Sequence, residues 1–318
     1  GVMNKRIVGA VLGIVAVAFS SSVSGFAGPI GAVGDLYLTS PNSGQVQQFD
    51  GTTYAYVGPF TQAGTLNAPV GLLFRPDGNL LVGGADPVSG NNVVKEYDNL
   101  GNFIRTFAQV NGRDLANGPG SDVLVAAASD GVLRFDGLTG APLGSFTSGY
   151  TFTSAQGIGF AGPSGNLFAL DQIGTSPASR IVEFDGTTGV YIRTIATNLV
   201  FPFDLGVGPN GNVFATQLQA FGAPADVTEY DPVSGALVGS YDTPNGTFGI
   251  GLDFNPASGR LLASMRNPDG FAEFAVGGGY LNTYPTAGFQ PNKIAFKVPE
   301  PATLGLLLVS LILAGRRH

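Results

Sequence analysis

The chain of 318 residues contains no cysteine, no tryptophan and a single histidine, His318, which is its last residue. These absences exclude a Ser–His–Asp triad, a cysteine nucleophile and any metal site built from His or Cys ligands. Charged side chains are also scarce, at 12% of the residues, about half of the usual quarter. The chemistry that remains is that of carboxylates, hydroxyls, amides, lysines and arginines.

Positive charge is the scarcer sign. Lysine and arginine together number 15 against 22 aspartates and glutamates, which gives a net charge of -7. Nucleic-acid binding needs a basic surface that neutralises phosphates, and this composition does not supply one. We therefore expect no nucleic-acid partner.

The N-terminal segment has the pattern of a secretory signal peptide. Lys5 and Arg6 precede an apolar run over residues 7–19, and small residues lead from there to Ala27. A basic start, a short apolar stretch and a small-residue exit are the three parts of such a peptide. We predict that residues 1–27 form a signal helix that is cleaved after Ala27. The absence of cysteine is compatible with export, because no disulfide has to form.

The C-terminal segment has a second targeting pattern. Its three parts, in order, are Pro299, Glu300 and Pro301, then the apolar residues 302–315, and then Arg316 and Arg317. As an α-helix, the apolar part would be about 21 Å long, which is shorter than the roughly 30 Å of a bilayer core. We therefore predict a short transmembrane helix that is recognised and removed. Because basic residues favour the cytoplasmic side, residues 28–298 would lie across the membrane.

This ending resembles the PEP-CTERM sorting domain, in which a Pro-Glu-Pro motif, a short transmembrane helix and an arginine cluster follow one another. The match covers residues 298–317. The resemblance implies cleavage near the Pro-Glu-Pro motif by an exosortase-type processing protease, in a Gram-negative bacterium that makes extracellular polysaccharide. It also implies an inner-membrane intermediate, followed by release to the periplasm, the outer surface or the extracellular matrix. An accidental tail anchor is the alternative.

Between these ends the sequence repeats. Short β-rich runs begin at Asp35, Asn79, Asp122, Asn166, Asn212 and Arg260. Successive starts are 43 to 48 residues apart, with a mean of 45, which is the length of four short strands with their turns. The period predicts an all-β protein, a six-bladed β-propeller of four-stranded blades, over residues 28–298. The last inner strand, Lys293–Phe296, would complete the first blade and close the ring.

An aromatic residue followed by Asp ends the second run of five copies, as in Phe49-Asp50 and Tyr97-Asp98. Because Asp bonds its neighbouring backbone, we interpret these aspartates as turn residues and not as catalytic ones.

The repeat resembles the NHL repeat and, more loosely, the six-bladed propellers of the gluconolactonase and strictosidine-synthase type. The resemblance is carried by Phe74–Asn79 and Val207–Asn212, which hold a Pro-x-Gly-Asn turn between two strands. For the gluconolactonase type it implies acidic and amide metal ligands at the axial funnel.

Aligning the inner strands brings one set of residues to a common level around the axis: Gly71, Asp114, Gly157, Asp204, Gly251 and Lys293. One position earlier lie Val70, Arg113, Gln156, Phe203, Ile250 and Asn292. Two aspartates with an amide from Gln156 and one from Asn292 have the oxygen ligands that Ca²⁺ requires. Alternatively, Asp114 and Asp204 pair with Arg113 and Lys293, and these cations would oppose a metal at the same level.

Two functional hypotheses follow. The preferred one is an exported, non-catalytic binding or matrix propeller without a cofactor, sorted to the envelope or cell surface and associated with extracellular polysaccharide. The alternative is a Ca²⁺-dependent hydrolase of the lactonase or gluconolactonase type, with Asp114 and Asp204 as ligands of a metal at the propeller axis. A weaker third hypothesis is a scaffold for an envelope protein.

Overall fold

A computed structural model describes residues 31–161, 165–174, 177–218, 226–244, 248–266, 269–286 and 288–298. The predicted signal peptide, the Pro-Glu-Pro motif, the apolar C-terminal stretch and the terminal arginines all lie outside the described residues. Across the described ranges, no helix has the length and apolar character needed to cross a membrane.

The described residues contain 24 strands, numbered in chain order, in six sheets of four strands. The innermost strands are β4 (Leu72–Phe74), β8 (Asp114–Asn117), β12 (Ala155–Phe160), β16 (Leu205–Val207), β20 (Phe248–Phe254) and β24 (Ile294–Phe296). The second strands are β1 (Leu36–Ser40), β5 (Leu80–Ala85), β9 (Val123–Ala126), β13 (Leu167–Asp171), β17 (Val213–Thr216) and β21 (Leu261–Arg266). The third strands are β2 (Gln45–Phe49), β6 (Asn92–Tyr97), β10 (Val132–Phe135), β14 (Pro177–Phe184), β18 (Val227–Tyr230) and β22 (Gly270–Phe274). The outer strands are β3 (Tyr56–Pro59), β7 (Phe103–Ala108), β11 (Pro142–Ser145), β15 (Tyr191–Val200), β19 (Leu237–Tyr241) and β23 (Tyr280–Pro285).

The predicted six-bladed propeller of four-stranded blades is confirmed. Blade 1 is the sheet β24-β1-β2-β3, and blades 2 to 6 follow in chain order. Strand β24 pairs antiparallel with β1, with Leu36 opposite Phe296 and Leu38 opposite Ile294. The last inner strand therefore completes the first blade, as the sequence predicts. It begins one residue later than expected, because Lys293 precedes the paired stretch.

The core lies between neighbouring blades. Second and third strands are almost fully buried, whereas outer strands such as β11 are exposed. Aromatic pairs bridge the blade interfaces: Tyr37 meets Phe74 edge-on with ring centroids 4.7 Å apart, and Phe214 meets Phe254 at 4.9 Å. Burial of such rings supplies the main favourable free energy of the fold.

Glycines permit the close approach of the inner strands. A Cβ atom on Gly157 or Gly251 would meet the backbone of the next blade at less than 3.0 Å. Each of these glycines sits at the level of the axis where neighbouring strands crowd together. The Gly-rich composition of the inner strands is thus a steric requirement of the ring.

The aspartates that follow the third strands act in turns. Asp50 accepts hydrogen bonds from the backbone N–H groups of Thr52 and Thr53, and Asp185 makes the equivalent pair with Thr187 and Thr188. These bonds lower the pKa of both carboxyl groups. The structure thus agrees with their interpretation as turn residues.

Candidate binding site at the propeller axis

A pocket of about 270 Å³ opens at one end of the propeller axis. Its lining residues are Pro41, Ala68, Val70, Arg113, Gln156, Phe203, Asp204, Ile250, Arg266, Asn292 and Lys293. The set includes all six residues that sequence alignment puts one position before the common level. Each blade therefore contributes to the pocket a residue that lies near the start of its inner strand, called here an entering residue.

The backbone fixes the position of these entering residues. The N–H of Val70 donates to the carbonyl of Gly83, and the N–H of Arg113 donates to that of Ala126. In both cases the acceptor lies on the second strand of the same blade. The entering residues thus extend the sheet by one bond, and their side chains are left to face the axis.

Lys293 and Asp204 form the floor of the pocket and, together with Asp114, which lies outside its lining, make an ion cluster called here the axial triad. The Nζ of Lys293 lies 2.8 Å from Oδ1 of Asp114 and also bonds Oδ1 of Asp204. The Lys293 side chain is only 14% exposed and each aspartate side chain 3%. The three residues come from blades 1, 3 and 5, so the cluster joins alternate blades across the axis.

Both aspartates of the triad also bind neighbouring backbone. Asp114 accepts from the N–H of Leu115 on its own strand and from that of Ile158 in the next blade, each at 2.9 Å. Asp204 accepts in the same way from Leu205 and, in the next blade, from Leu252, each at 2.8 Å. Each carboxylate is thus a bridge between neighbouring blades.

Asp253 repeats this bridge two residues further along the axis. It accepts from the N–H of Phe254 and from the N–H of Phe296, each at 2.8 Å. Because Phe296 lies on β24, this contact crosses the junction between blade 6 and blade 1, where the ring closes.

Burial dominates the protonation of this region. Desolvation raises the pKa of Asp114 to about 7, although the nearby Lys293 ammonium acts in the opposite direction. Desolvation likewise raises the pKa of Asp253 to about 6. Burial alone would lower the pKa of Lys293, but its two carboxylate partners outweigh burial and the pKa is raised. Lys293 is therefore a permanent cation at physiological pH.

Two arginines lie at the pocket wall. Arg113 is exposed, and among the described residues its guanidinium has no hydrogen bond or ion pair. Arg266 ends strand β21, and its Nε is buried without a hydrogen-bond partner in the described part of the chain. Burial lowers the pKa of Arg266, while the charge of Asp269 acts to raise it.

Amides and apolar side chains complete the wall. The Nε2 of Gln156 donates to Oγ of Ser154 at 3.0 Å and to Oε1 of Gln172 at 3.2 Å, which orients the amide group of Gln156. Phe203 packs edge-on against Phe201 with centroids 5.0 Å apart. The pocket thus combines amide, aromatic and cationic groups.

The sequence-predicted residues separate into two sets. Asp114, Asp204 and Lys293 meet in the triad, which is the pairing of aspartates with a cation that the sequence left open. Arg113 does not join them, since its guanidinium lies outside ion-pair distance of any carboxylate in the described ranges. Gln156 and Asn292 line the pocket above.

The donor set was tested for its fit to Ca²⁺. The described residues contain no group of three or more His, Cys, Asp or Glu side chains arranged to hold a metal ion. The ammonium of Lys293 lies between Asp114 and Asp204, where a cation shared by the two carboxylates would have to sit. The side chains present therefore do not fit a calcium ion in this arrangement.

Sequence alignment of inner strands missed Arg266 and Asp253. Arg266 ends a second strand, opposite Phe248 of the inner strand, so aligning the ends of the second strands would have found it. Asp253 lies two positions past the aligned residue Gly251, and residues two apart in a strand lie on the same face, so its side chain also points towards the axis.

No protein-family model matches the chain, and no curated protein matches its sequence. Solved structures share its fold. A chain of the nidogen/laminin complex superposes with a TM-score of 0.65 at 12% identity, covering 83% of this chain and 98% of that chain. A gluconolactonase from Xanthomonas campestris gives a TM-score of 0.56 at 14% identity, covering 84% and 90%. Regucalcin, a calcium-binding protein from Agrobacterium tumefaciens, gives 0.53 at 16% identity, covering 71% and 76%. At these identities the likeness shows the propeller fold alone.

Proposed function

We propose that the protein is a non-catalytic binding propeller that holds a small polar ligand in its axial pocket. One observation carries this proposal: the Nζ of Lys293 bonds both Asp114 and Asp204. An ammonium between the two carboxylates supports a pocket that works without a metal cofactor. What the pocket offers is recognition, through arginine, amide and aromatic side chains above its floor.

We further propose that this propeller works outside the inner membrane. The support is the pattern of both ends of the sequence: residues 1–27 have the three parts of a signal peptide, and Pro299 to Pro301 resemble the motif that an exosortase recognises. In such a setting surface polysaccharide is the ligand source that the PEP-CTERM resemblance suggests. An envelope protein is the other partner class that a propeller of this kind would serve.

The binding proposal is tested by thermal shift with the host's own polysaccharide and its monosaccharide components. Val70→Trp fills the axial pocket and should abolish the shift. Val88→Trp is the matched control, because Val88 is 94% exposed on a turn away from the pocket. Ligand-induced shifts of equal size in both variants would contradict the axial location.

A Ca²⁺-dependent hydrolase of the lactonase type is the second candidate. It is favoured by the comparisons, since the similar propellers include a gluconolactonase and a calcium-binding protein. Such an activity would require Lys293 to leave Asp114 and Asp204, which are the two carboxylates that it bonds at the axis.

Metal content separates the two candidates. We expect plasma mass spectrometry of the purified protein to find no stoichiometric calcium, and a Ca²⁺ titration to leave the melting temperature unchanged. Stoichiometric calcium that is lost in a folded Asp204→Asn variant would overturn the first proposal in favour of the hydrolase.

A further inference from the structure

The two arginines of the axial pocket approach it from opposite sides of the ring. Arg113 immediately precedes β8 of blade 3, and Arg266 ends β21 of blade 6. In a ring of six blades, the third and sixth face each other across the axis. A molecule in the pocket would therefore lie between two guanidinium groups.

The charge of the pocket is opposite to that of the whole protein. On the floor, one ammonium from Lys293 faces the carboxylates of Asp114 and Asp204, so the triad has a net charge of about -1 when both are ionised, and the positive charge of the pocket comes from its two arginines. Arg113 and Arg266 have no carboxylate within ion-pair distance in the described part of the chain, although Asp269 acts on Arg266 from further away. In a chain of net charge -7, these two unpaired cations mark a local site for an anion.

The Nε of Arg266 is buried and has no acceptor among the described residues, and unlike Arg180, which shares this feature, Arg266 lines the pocket. A buried donor without an acceptor costs free energy, and such groups in native structures call for an explanation. Arginine presents several N–H donors in a planar fork that matches a carboxylate. A carboxylate in the pocket would give the Arg266 guanidinium an ionic partner, which it does not have among the described residues.

The remaining walls suit a sugar ring. A volume of about 270 Å³ lies at the small end of ligand sites and suits a single monosaccharide unit. Phe203 presents an aromatic ring, and Gln156 and Asn292 present amides that can bond hydroxyl groups. Together with the two arginines, these groups are complementary to a sugar ring that carries hydroxyl groups and one negative charge.

We propose that the axial pocket recognises a uronate sugar, with the carboxylate held between Arg113 and Arg266 and the ring beside Phe203. This inference rests on the proposed binding function and specifies its ligand class. The sugar is either a free uronate or the terminal unit of an acidic polysaccharide, since both present the same group.

Isothermal titration of the full chain in EDTA-containing buffer tests the inference with D-glucuronate, its neutral methyl ester and D-glucose. Because charge-assisted hydrogen bonds are the stronger ones, we expect glucuronate to bind at least about tenfold more tightly than either neutral ligand. Acetate and sulfate at equal concentration should not compete. A short oligouronate that binds more tightly than glucuronate would identify a chain end as the source, and equal affinities would identify the free sugar.

Variants then test the two arginines. Arg113→Gln and Arg266→Gln should each weaken glucuronate binding about tenfold and weaken glucose binding much less, so that the preference for glucuronate over glucose falls. Arg266→Lys keeps the charge without the planar fork and should give an intermediate affinity. Arg180→Gln is the matched control, because Arg180 also has a buried Nε without a partner but does not line the pocket.

The outcomes separate this inference from the proposed function. If glucose and glucuronate bind equally tightly, and if neither affinity changes in the two arginine variants, recognition of a carboxylate is wrong and the protein remains a sugar-binding propeller. If sulfate competes as well as glucuronate, recognition of the sugar ring is wrong and the pocket is a general anion site. If none of the sugars binds and no polysaccharide shifts the melting temperature, both proposals fail.

Discussion

The Nζ of Lys293 lies 2.8 Å from Oδ1 of Asp114, although the first residue precedes the last inner strand and the second begins the inner strand of blade 3. The contact joins distant parts of the chain inside the ring, where water is scarce. Removing one partner of such a buried ion pair lowers the stability strongly, because the other partner is left as a buried, uncompensated charge.

Removing the ammonium should destabilise the propeller. In Lys293→Met, two buried carboxylates remain side by side, and we expect the free energy of unfolding to fall by about 3–5 kcal/mol at pH 8. The loss should shrink as the pH is lowered, because protonation of Asp114, whose pKa is raised by burial, removes one of the two buried negative charges. Urea denaturation at pH 8 and pH 5 measures both effects.

The control for this variant is Lys95→Met. Lys95 pairs at 2.8 Å with Asp86, whose side chain is 22% exposed, so water can take over from the lost ammonium and the cost should be smaller. The triple variant Lys293→Met, Asp114→Asn, Asp204→Asn should recover part of the stability. Equal stability of Lys293→Met and the original protein at pH 8 would show that the triad contributes nothing.

Asp114 should make the stability of the original protein depend on pH. Its folded pKa of about 7 is above the unfolded value of about 3.9, so the folded state binds more protons between these limits. The free energy of unfolding should therefore fall as the pH rises from about 4 to about 7, by an amount on the order of a few kcal/mol, and then level off. Asp253, with a folded pKa of about 6, acts in the same direction.

Denaturation curves of Asp114→Asn over this pH range provide the measurement. The variant should have a flatter profile, because its amide does not titrate. A slope identical to that of the original protein would mean that Asp114 stays ionised throughout.

The junction where the ring closes should be sensitive to Asp253. Asp253→Ala removes the acceptor for the N–H of Phe296 and leaves that buried donor unpaired, which should cost about 1–3 kcal/mol. Asp130→Ala, in an exposed turn, is the control and should change the stability little. Hydrogen exchange should detect the loss of protection first in β24 and β1, and protection equal to that of the original protein would contradict this role.

The sorting proposal makes a prediction in cells. Changing Pro299, Glu300 and Pro301 together to alanine should leave unprocessed protein in the inner membrane, because the processing protease would lose its recognition motif. Cell fractionation with immunoblotting measures this. As a control, a variant with Pro87, Val88 and Ser89 changed to alanine, in an exposed turn, should still be processed. Cleavage and release of the first variant would contradict the sorting proposal.

The sequence predicted the ring better than the axis. The 45-residue period, the glycines at positions such as Gly157 and the closing strand before Lys297 follow from local patterns, because each blade repeats the same steric needs. The alignment offered the pairing of Asp114 and Asp204 with Lys293 only as an alternative to a calcium site, because the choice depends on distances across the axis, which no local pattern encodes. Arg266 was missed for a related reason, since it enters the pocket from a second strand and not from an inner one.

The strand that closes the ring follows directly on the residue that neutralises its interior. Backbone bonds from Gly34 to Lys297 and from Thr39 to Lys293 form only after nearly all of the propeller has been synthesised. A chain interrupted before residue 293 would have an open first blade and two uncompensated acids in its centre. An incomplete chain is therefore destabilised in two ways, which favours the proteolysis of truncated products. The ring can close only after the whole domain has been synthesised.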